Sequence, residues 1–271
     1  MIAPRSALYL PASNPRAIAR ARTLDADLVI LDLEDAVPEA EKEAARVAAA
    51  AAVGEGFGGP AAIRVNADPR WHEADVAAVR GSAADIAVLP KVEDADAAAR
   101  AARALGKPLY AMIETPRGVL AAAAIARAEG VAGLIAGTND LAYELRLPAS
   151  AGRGGLLLAL QTIVLAARAA GIVALEGVWN RLDDPAGLEA ECREGRALGF
   201  DGKTLIHPDQ IATANACFAP SEAEIEDARA LVEAATAGAQ RFRGRMVEDM
   251  HVAAAREILA RAGGKPADSG L

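Results

Sequence analysis

Short runs of apolar residues, many of them β-branched, recur along the chain and are separated by polar segments. Such runs, bounded by charged residues, proline or glycine, are typical of β-strands in a protein interior. Eight of them occur, at residues 6–11, 27–33, 61–66, 85–91, 108–114, 131–137, 171–177 and 202–208. The pattern therefore predicts eight strands.

The segments between these strands are rich in Ala, Arg and Glu and predict helices. Clear examples are residues 38–53, 93–106 and 117–130, and the last two close on glycine, as helix C-termini often do. Residues 155–175 are strongly apolar but are interrupted by Arg168. They predict a core helix followed by a strand rather than a membrane span.

Strands and helices alternate throughout the chain, and the length matches the roughly 250 residues of a (β/α)8 TIM barrel, an α/β fold. The pattern alone also allows a doubly wound sheet. No linker or change in composition divides the chain. We therefore predict one catalytic barrel domain, residues 1–238, and a C-terminal helical extension, residues 239–271.

Composition narrows the classes of function. With 271 residues, of which 53% are apolar, the chain can bury a large core. A net charge of −8 and an aromatic content of 3% argue against general nucleic-acid binding, which needs a basic surface. The chain has two cysteines and no secretory-signal pattern at its N-terminus, so we predict a cytoplasmic protein without membrane attachment.

Polar side chains follow nearly every predicted strand. In a TIM barrel the C-terminal strand ends and the loops after them form the active-site rim. The candidates for that rim are Ser13, Asn14, Asp32, Glu34, Asp35, Arg64, Asn66, Lys91, Glu114, Thr115, Thr138, Asn139, Asp140, Glu176 and His207.

The carboxylates of this rim predict a cation site. Glu114 in "AMIETP" and Asp140 in "LIAGTNDL" end adjacent strands and could share one hard cation. With Glu34 or Asp35 nearby through water, the oxygen-rich site suits Mg²⁺, which takes few direct carboxylates. The alternative is structural: Asp140 would cap a helix and Glu114 would pair with an arginine.

Two basic residues allow more than one role. Arg64 in "IRVNA" could hold a substrate carboxylate, steady an oxyanion, or serve as structural partner of the acidic residues. Lys91 in "VLPKVE" could form a Schiff base, but nearby carboxylates would raise its pKa and favour ion pairing. The "AGTND" turn, residues 136–140, offers backbone N–H groups to an anion.

Eight segments follow one another between about residues 5 and 262: "RSALYLPASNPRAIARA", "ADLVILDLEDAVPEAEKEAAR", "IRVNA", "LPKVE", "IETPRGV", "AGTNDLAYEL", "GFDGKTLIHPDQI" and "RMVEDMHVAAAREILARA". In this order they resemble the citrate lyase beta-subunit-like proteins of the aldolase/citrate lyase superfamily, close to malyl-CoA and citramalyl-CoA lyases. The resemblance implies a (β/α)8 barrel that forms a homotrimer or hexamer, binds Mg²⁺, and cleaves or forms a C–C bond beside a CoA thioester.

The resemblance also implies residue roles on the acidic side of the site. By position, Glu114 and Asp140 match the family's metal ligands. Glu34 and Asp35 match residues that hold waters on the metal.

On the substrate side, Arg64 matches the arginine that contacts the α-keto acid and the enolate oxygen. Gly137, Thr138 and Asn139 match the turn that receives the substrate carboxylate, and we group Lys91 with these substrate-binding residues.

The C-terminal segment departs from the family pattern. Relatives with strong lyase activity carry a catalytic aspartate on a lid supplied by the neighbouring subunit. Here "RMVEDMHV" offers Glu248 in that position and Asp249 beside it as the base. Glu176 stands where relatives usually carry Asp, which implies a reshaped pocket.

These features predict a Mg²⁺-dependent lyase that converts a 3-hydroxyacyl-CoA, such as citramalyl-, malyl- or citryl-CoA, into an acyl-CoA and an α-keto acid. Other activities are a CoA-independent aldolase that releases pyruvate and a Schiff-base aldolase using Lys91. The chain could also be the beta subunit of a multisubunit citrate lyase, or a binding protein with a degenerate site.

Overall fold

Eight parallel strands close into a barrel in the computed structural model, which describes residues 3–235 and 238–263. Each strand pairs with the next, and β8 returns to β1. The strands are β1 Ser6–Pro11, β2 Leu28–Asp32, β3 Ala61–Arg64, β4 Ile86–Leu89, β5 Leu109–Ile113, β6 Val131–Ala136, β7 Val173–Glu176 and β8 Gly202–Leu205. All eight predicted strands and the barrel are confirmed, and the doubly wound alternative is wrong.

Helices follow the strands. They are α1 Pro15–Ala21, α2 Lys42–Glu55, α3 Pro69–Gly81, α4 Ala95–Leu105, α5 Pro116–Ala126, α6 Thr138–Glu144, α7 Leu157–Ala170, α8 Pro185–Leu198, α9 Ile211–Phe218, α10 Glu222–Ala234 and α11 Asp249–Ala262. Helices α1, α3, α5 and α8 each begin with proline after an Asn, Asp or Thr whose side chain accepts a backbone N–H. These caps begin each helix soon after its strand ends.

The helix ends match the sequence pattern in part. Helix α4 ends at Leu105 and is followed by Gly106, whose φ of 64° is the left-handed conformation that glycine adopts easily. The prediction that the helix after residue 117 runs to Gly130 is wrong, because α5 ends at Ala126. The apolar segment 155–175 forms α7 and then β7, as predicted.

The side chains of each strand alternate between two cores. The inward cluster contains Ala7, Leu28, Ile30, Ala62, Ile86, Val88, Tyr110, Met112, Ile135 and Leu175. The residues between them pack against the helices. Because β2 and β3 are in register with Asp32 opposite Arg64, the same alternation brings these two polar residues together at the C-terminal end of the barrel.

The predicted C-terminal extension forms a hairpin of β9 Gln240–Phe242 and β10 Arg245–Val247, followed by α11, and it lies next to α10. A separate apolar cluster joins these elements, so α10, which precedes the predicted boundary at residue 238, packs with the extension. Near the end of α11, Arg261 forms an ion pair of 2.5 Å with Asp201, and Asp201 is the residue just before β8. Across the described residues, we find no helix with the length and apolar character to cross a membrane.

Candidate active site

A cavity of about 300 Å³ opens at the C-terminal ends of the strands. Its walls are formed by Tyr9, Asp32, Asp35, Ala36, Arg64, Met112, Glu114, Ala136, Gly137, Thr138, Asn139, Asp140, Val178, Thr204 and Ile206. Seven of the fifteen residues that the sequence pattern places on the rim line this cavity: Asp32, Asp35, Arg64, Glu114, Thr138, Asn139 and Asp140.

Arg64 is held in place by Asp32. Its Nε lies 2.7 Å from Oδ1 of Asp32 and its Nη2 lies 2.6 Å from Oδ2, so the pair is bidentate. Asp32 also accepts the backbone N–H groups of Glu34 and Ala36, which orients the loop after β2. The interpretation of Arg64 as a partner of the acidic residues is thus confirmed, because Nε and Nη2 bind Asp32 and Nη1 faces Glu34 and Asp35.

The Nη1 atom of Arg64 lies 3.1 Å from Oε2 of Glu34 and 3.5 Å from Oδ2 of Asp35. Glu34 is buried, whereas the Asp35 side chain is largely exposed. Burial, only partly offset by Arg64, raises the pKa of Glu34 to about 8.

Glu114 directly follows β5 and is a buried carboxylate. Its Oε1 accepts the backbone N–H of Lys91 at 2.7 Å. A Cβ at position 137 would lie 2.5 Å from Oε2 of Glu114, so Gly137 leaves room for this side chain. Burial is the main cause that raises the pKa of Glu114 to about 7, and neighbouring Asp140 adds to it.

Lys91 lies beside the cavity with Nζ 3.8 Å from Oδ2 of Asp140. Partial burial works against its charge, but the carboxylates of Glu34 and Asp140 outweigh this and raise the pKa of Lys91. A protonated amine is a poor Schiff-base nucleophile, so this environment favours the ion-pairing role.

These residues fit a magnesium ion. The cavity wall carries four carboxylates and one guanidinium, and the buried Oε2 of Glu34 forms an ion pair with Nη1 of Arg64 but accepts no hydrogen bond within the described residues. The donors are all oxygen atoms, which hard cations prefer. Within residues 3–235 and 238–263, no group of three or more His, Cys, Asp or Glu side chains is placed so that it could hold a metal ion by itself. Mg²⁺ takes one or two carboxylates directly and completes its shell with water and substrate.

Sequence reasoning missed Lys42, a support of the site. Its buried Nζ donates to the carbonyl groups of Leu33 and Glu34, each at 2.8 Å, and to Oδ1 of Asn66 at 2.6 Å. The signal was its place on the buried face of α2, in line with Ala45 and Ala49. A lysine on such a face needs polar partners inside the fold.

The expectation that Glu176 reshapes the pocket is wrong. Its side chain points away from the barrel axis toward α8, where it lies 3.1 Å from Nζ of Lys203 and 2.5 Å from Nη1 of Arg153. Glu191 and Glu194 of α8 extend this ion network. Glu176 directly follows Leu175, which faces into the barrel, so the alternation of side chains along β7 turns Glu176 outward.

Neither proposed base lines the cavity of its own chain. Glu248 precedes α11, where its backbone N–H donates to Nδ1 of His251, and Asp249 accepts the N–H of Gly238. The extension that carries them is tied by Arg261 to Asp201, at the end of the barrel opposite the cavity.

Comparison with known proteins identifies the class to which this fold and site belong. The family model HpcH/HpaI aldolase/citrate lyase matches residues 5–208, and the model for C–C bond lyases of the TIM-barrel fold matches residues 156–264. The chain therefore belongs to the HpcH/HpaI aldolase/citrate lyase family, as the sequence resemblance predicts.

Individual relatives refine this picture. A (3S)-malyl-CoA thioesterase from Cereibacter sphaeroides is 44% identical over 95% of this chain and 94% of its own. The citrate lyase subunit beta of Escherichia coli is 35% identical, over 95% and 93%. The structure of CitE from Mycobacterium tuberculosis in complex with magnesium, acetoacetate and coenzyme A matches with a TM-score of 0.81 and 35% identity, covering 97% of this chain and 99% of that one.

Proposed function

We propose that this protein is a Mg²⁺-dependent lyase that cleaves a 3-hydroxyacyl-CoA of the malyl-CoA type into an acyl-CoA and an α-keto acid. The observation that carries the proposal is the convergence of Glu114, Asp140 and the anchored Arg64 on one cavity. The magnesium and coenzyme A bound to the related CitE protein support it. Citramalyl-CoA and citryl-CoA are substrates of the same chemical class.

Glu114 and Asp140 would hold the magnesium ion, and Glu34 and Asp35 would hold waters bound to it. When bound, the ion supplies a Lewis acid that polarises the carbonyl group of the α-keto acid. The turn of Gly137, Thr138 and Asn139 lines the same cavity and would receive the substrate carboxylate. Lys91, paired with Asp140, would lower the local negative charge.

Arg64 would stabilise the enolate that forms when the C–C bond breaks. Two of its nitrogens are held by Asp32, so the guanidinium plane is fixed, and Nη1, which faces Glu34 in this structure, would turn from that carboxylate to the developing negative charge. In the reverse reaction, the base removes a proton from the acyl-CoA methyl group. We assign this role to Glu248 or Asp249 from a neighbouring subunit of a homotrimer or hexamer.

Hydrolysis of the thioester is a second candidate activity. It is favoured by the 44% identity to a (3S)-malyl-CoA thioesterase, against 35% for the citrate lyase subunit. In this reaction water attacks the thioester carbonyl group, and CoA leaves as the thiol. The same arginine would stabilise the tetrahedral oxyanion.

A product assay separates these reactions. The purified protein is incubated with malyl-, citramalyl- or citryl-CoA and Mg²⁺, and products are measured by mass spectrometry. With malyl-CoA, cleavage yields acetyl-CoA and glyoxylate, whereas hydrolysis yields malate and free CoA. Turnover of free hydroxy-keto acids instead of thioesters would support the CoA-independent aldolase, and no turnover of any thioester would contradict the proposal.

A further inference from the structure

Tyr9 brings a hydroxyl group to the floor of the cavity. It lies on β1 at an inward position, two residues after Ala7, and packs against the apolar cluster inside the barrel. Its ring lies beneath Arg64, with the guanidinium carbon 5.0 Å from the ring centroid. This is cation–π distance, so the ring supports the arginine from below.

The hydroxyl group of Tyr9 donates to a weak acceptor. Its oxygen lies 3.5 Å from Sδ of Met112, and a thioether sulfur accepts hydrogen bonds poorly. Nη1 of Arg64 lies 3.8 Å from the same sulfur. The Tyr9 hydroxyl and Nη1 of Arg64 thus both point at the Met112 sulfur, which is a weak acceptor for each of them.

We propose that the Tyr9 hydroxyl and Nη1 of Arg64 together bind one oxygen of the ligand, the carbonyl oxygen of the thioester. This inference rests on the proposed function. In C–C cleavage this oxygen becomes the enolate oxygen, and in hydrolysis it becomes the tetrahedral oxyanion. A pair of preorganised donors at this point serves both reactions, because each donor stabilises the charge as it develops.

The chemistry of the phenol agrees with a donor role. Burial in the barrel raises the pKa of Tyr9, so the group keeps its proton at neutral pH. The strong hydrogen bond is made when the ligand oxygen replaces the sulfur as acceptor, since oxygen is the better acceptor. Tyr9 is then a catalytic residue of the site and Met112 its resting partner.

Tyr9→Phe tests the proposal, because it removes the hydroxyl group and keeps the ring under Arg64. We expect kcat to fall by on the order of a hundredfold, with KM changed by less than about threefold. Tyr143→Phe is the matched control, since Tyr143 is an exposed residue of α6, and its kcat should equal that of the wild type. A Tyr9→Phe variant with wild-type kcat would overturn the proposal while leaving the proposed function intact.

A spectroscopic measurement adds a readout that needs no turnover. Acetyl-CoA labelled with ¹³C at the thioester carbonyl is bound to each variant, and its carbonyl stretch is followed by infrared difference spectroscopy. Two donors should lower the frequency in the wild type, and Tyr9→Phe should shift it back toward the value in water. Equal frequencies in both proteins would contradict the donor role. If the wild type neither binds nor converts any thioester, the proposed function falls as well.

Discussion

Arg64 and Asp32 face each other from neighbouring strands and form a two-point ion pair, with Nε–Oδ1 and Nη2–Oδ2 distances of 2.7 and 2.6 Å. Both side chains are almost fully buried. The pair fixes the plane of the guanidinium group, and this directs Nη1 toward Glu34 and the sulfur of Met112. The acidic residue that begins the "DLED" stretch therefore orients the cation of the site.

Arg64→Lys should lower kcat/KM at least tenfold, on the order of 1.4 kcal/mol. Lysine keeps the charge but cannot bind Asp32 at two points and present a third nitrogen. Steady-state kinetics on the thioester measures the loss. Arg117→Lys is the control, because Arg117 is largely exposed. Near-normal kinetics in Arg64→Lys would show that the guanidinium is structural.

Glu114→Ala and Asp140→Ala should each abolish Mg²⁺-dependent binding of oxaloacetate or pyruvate, with the fold intact. Each removes one of the two carboxylates that would contact the ion, and EDTA should have the same effect on the wild type. Calorimetry gives the affinity. Asp209 is an exposed carboxylate after β8, and the Asp209→Asn control should bind Mg²⁺ and the keto acid as the wild type does. Unchanged affinity in both alanine variants would rule out this metal assignment.

Gly137→Ala should weaken Mg²⁺ binding by at least tenfold, because the added methyl group would lie 2.5 Å from Oε2 of Glu114 and displace the carboxylate. Gly54→Ala is the matched control. Position 54 lies inside α2 with open space around it, so alanine there should stabilise the fold by up to about 1 kcal/mol. Metal titration and thermal unfolding of both variants test this contrast, and equal metal affinities would refute it.

Lys203→Met should reduce the free energy of unfolding by about 3 kcal/mol or more, because it removes the fully buried cation that pairs with Glu176 and Glu191 and leaves Arg153 alone to balance both carboxylates. Arg103→Met breaks an exposed pair with Glu129 and should change stability by about 0.5 kcal/mol or less. Urea unfolding gives both values. A similarly small loss of unfolding free energy in both variants would show that the buried ion network stabilises the fold no more than an exposed ion pair does.

Glu248→Gln should lower turnover sharply, and mixed oligomers of Glu248→Gln and Asp140→Asn protomers should regain part of the activity. Glu248→Gln lacks the base and Asp140→Asn lacks a metal ligand, so each variant alone should be inactive. In a mixed oligomer, at least one site combines the intact metal ligands of one protomer with the intact base of the other. Co-expression with two tags isolates the hybrids for assay.

Hybrids as inactive as both parents would exclude a site shared between subunits. Full activity of Glu248→Gln alone would move the assignment of the base to Asp249.

Strand periodicity by itself determined the eight strands, since each buried strand is an apolar run between polar residues, whereas closure into a barrel and not a doubly wound sheet was decided by the tertiary structure. The rim of functional residues followed, because parallel strands in a closed barrel deliver their C-terminal ends to one face. Glu114, Asp140 and Arg64 could be selected from sequence on that ground alone.

Pairings between side chains were decided by the tertiary structure, since register and strand parity depend on how the whole sheet closes. Asp32 could be counted with the acidic residues, but its partnership with Arg64 required β2 and β3 in register. Glu176 faces α8 because side chains point alternately to the two faces of β7. Tyr9 contacts Met112, which lies 103 positions later in the sequence. Contacts of this range leave no local signal, so only the closed barrel brings the atoms within bonding distance.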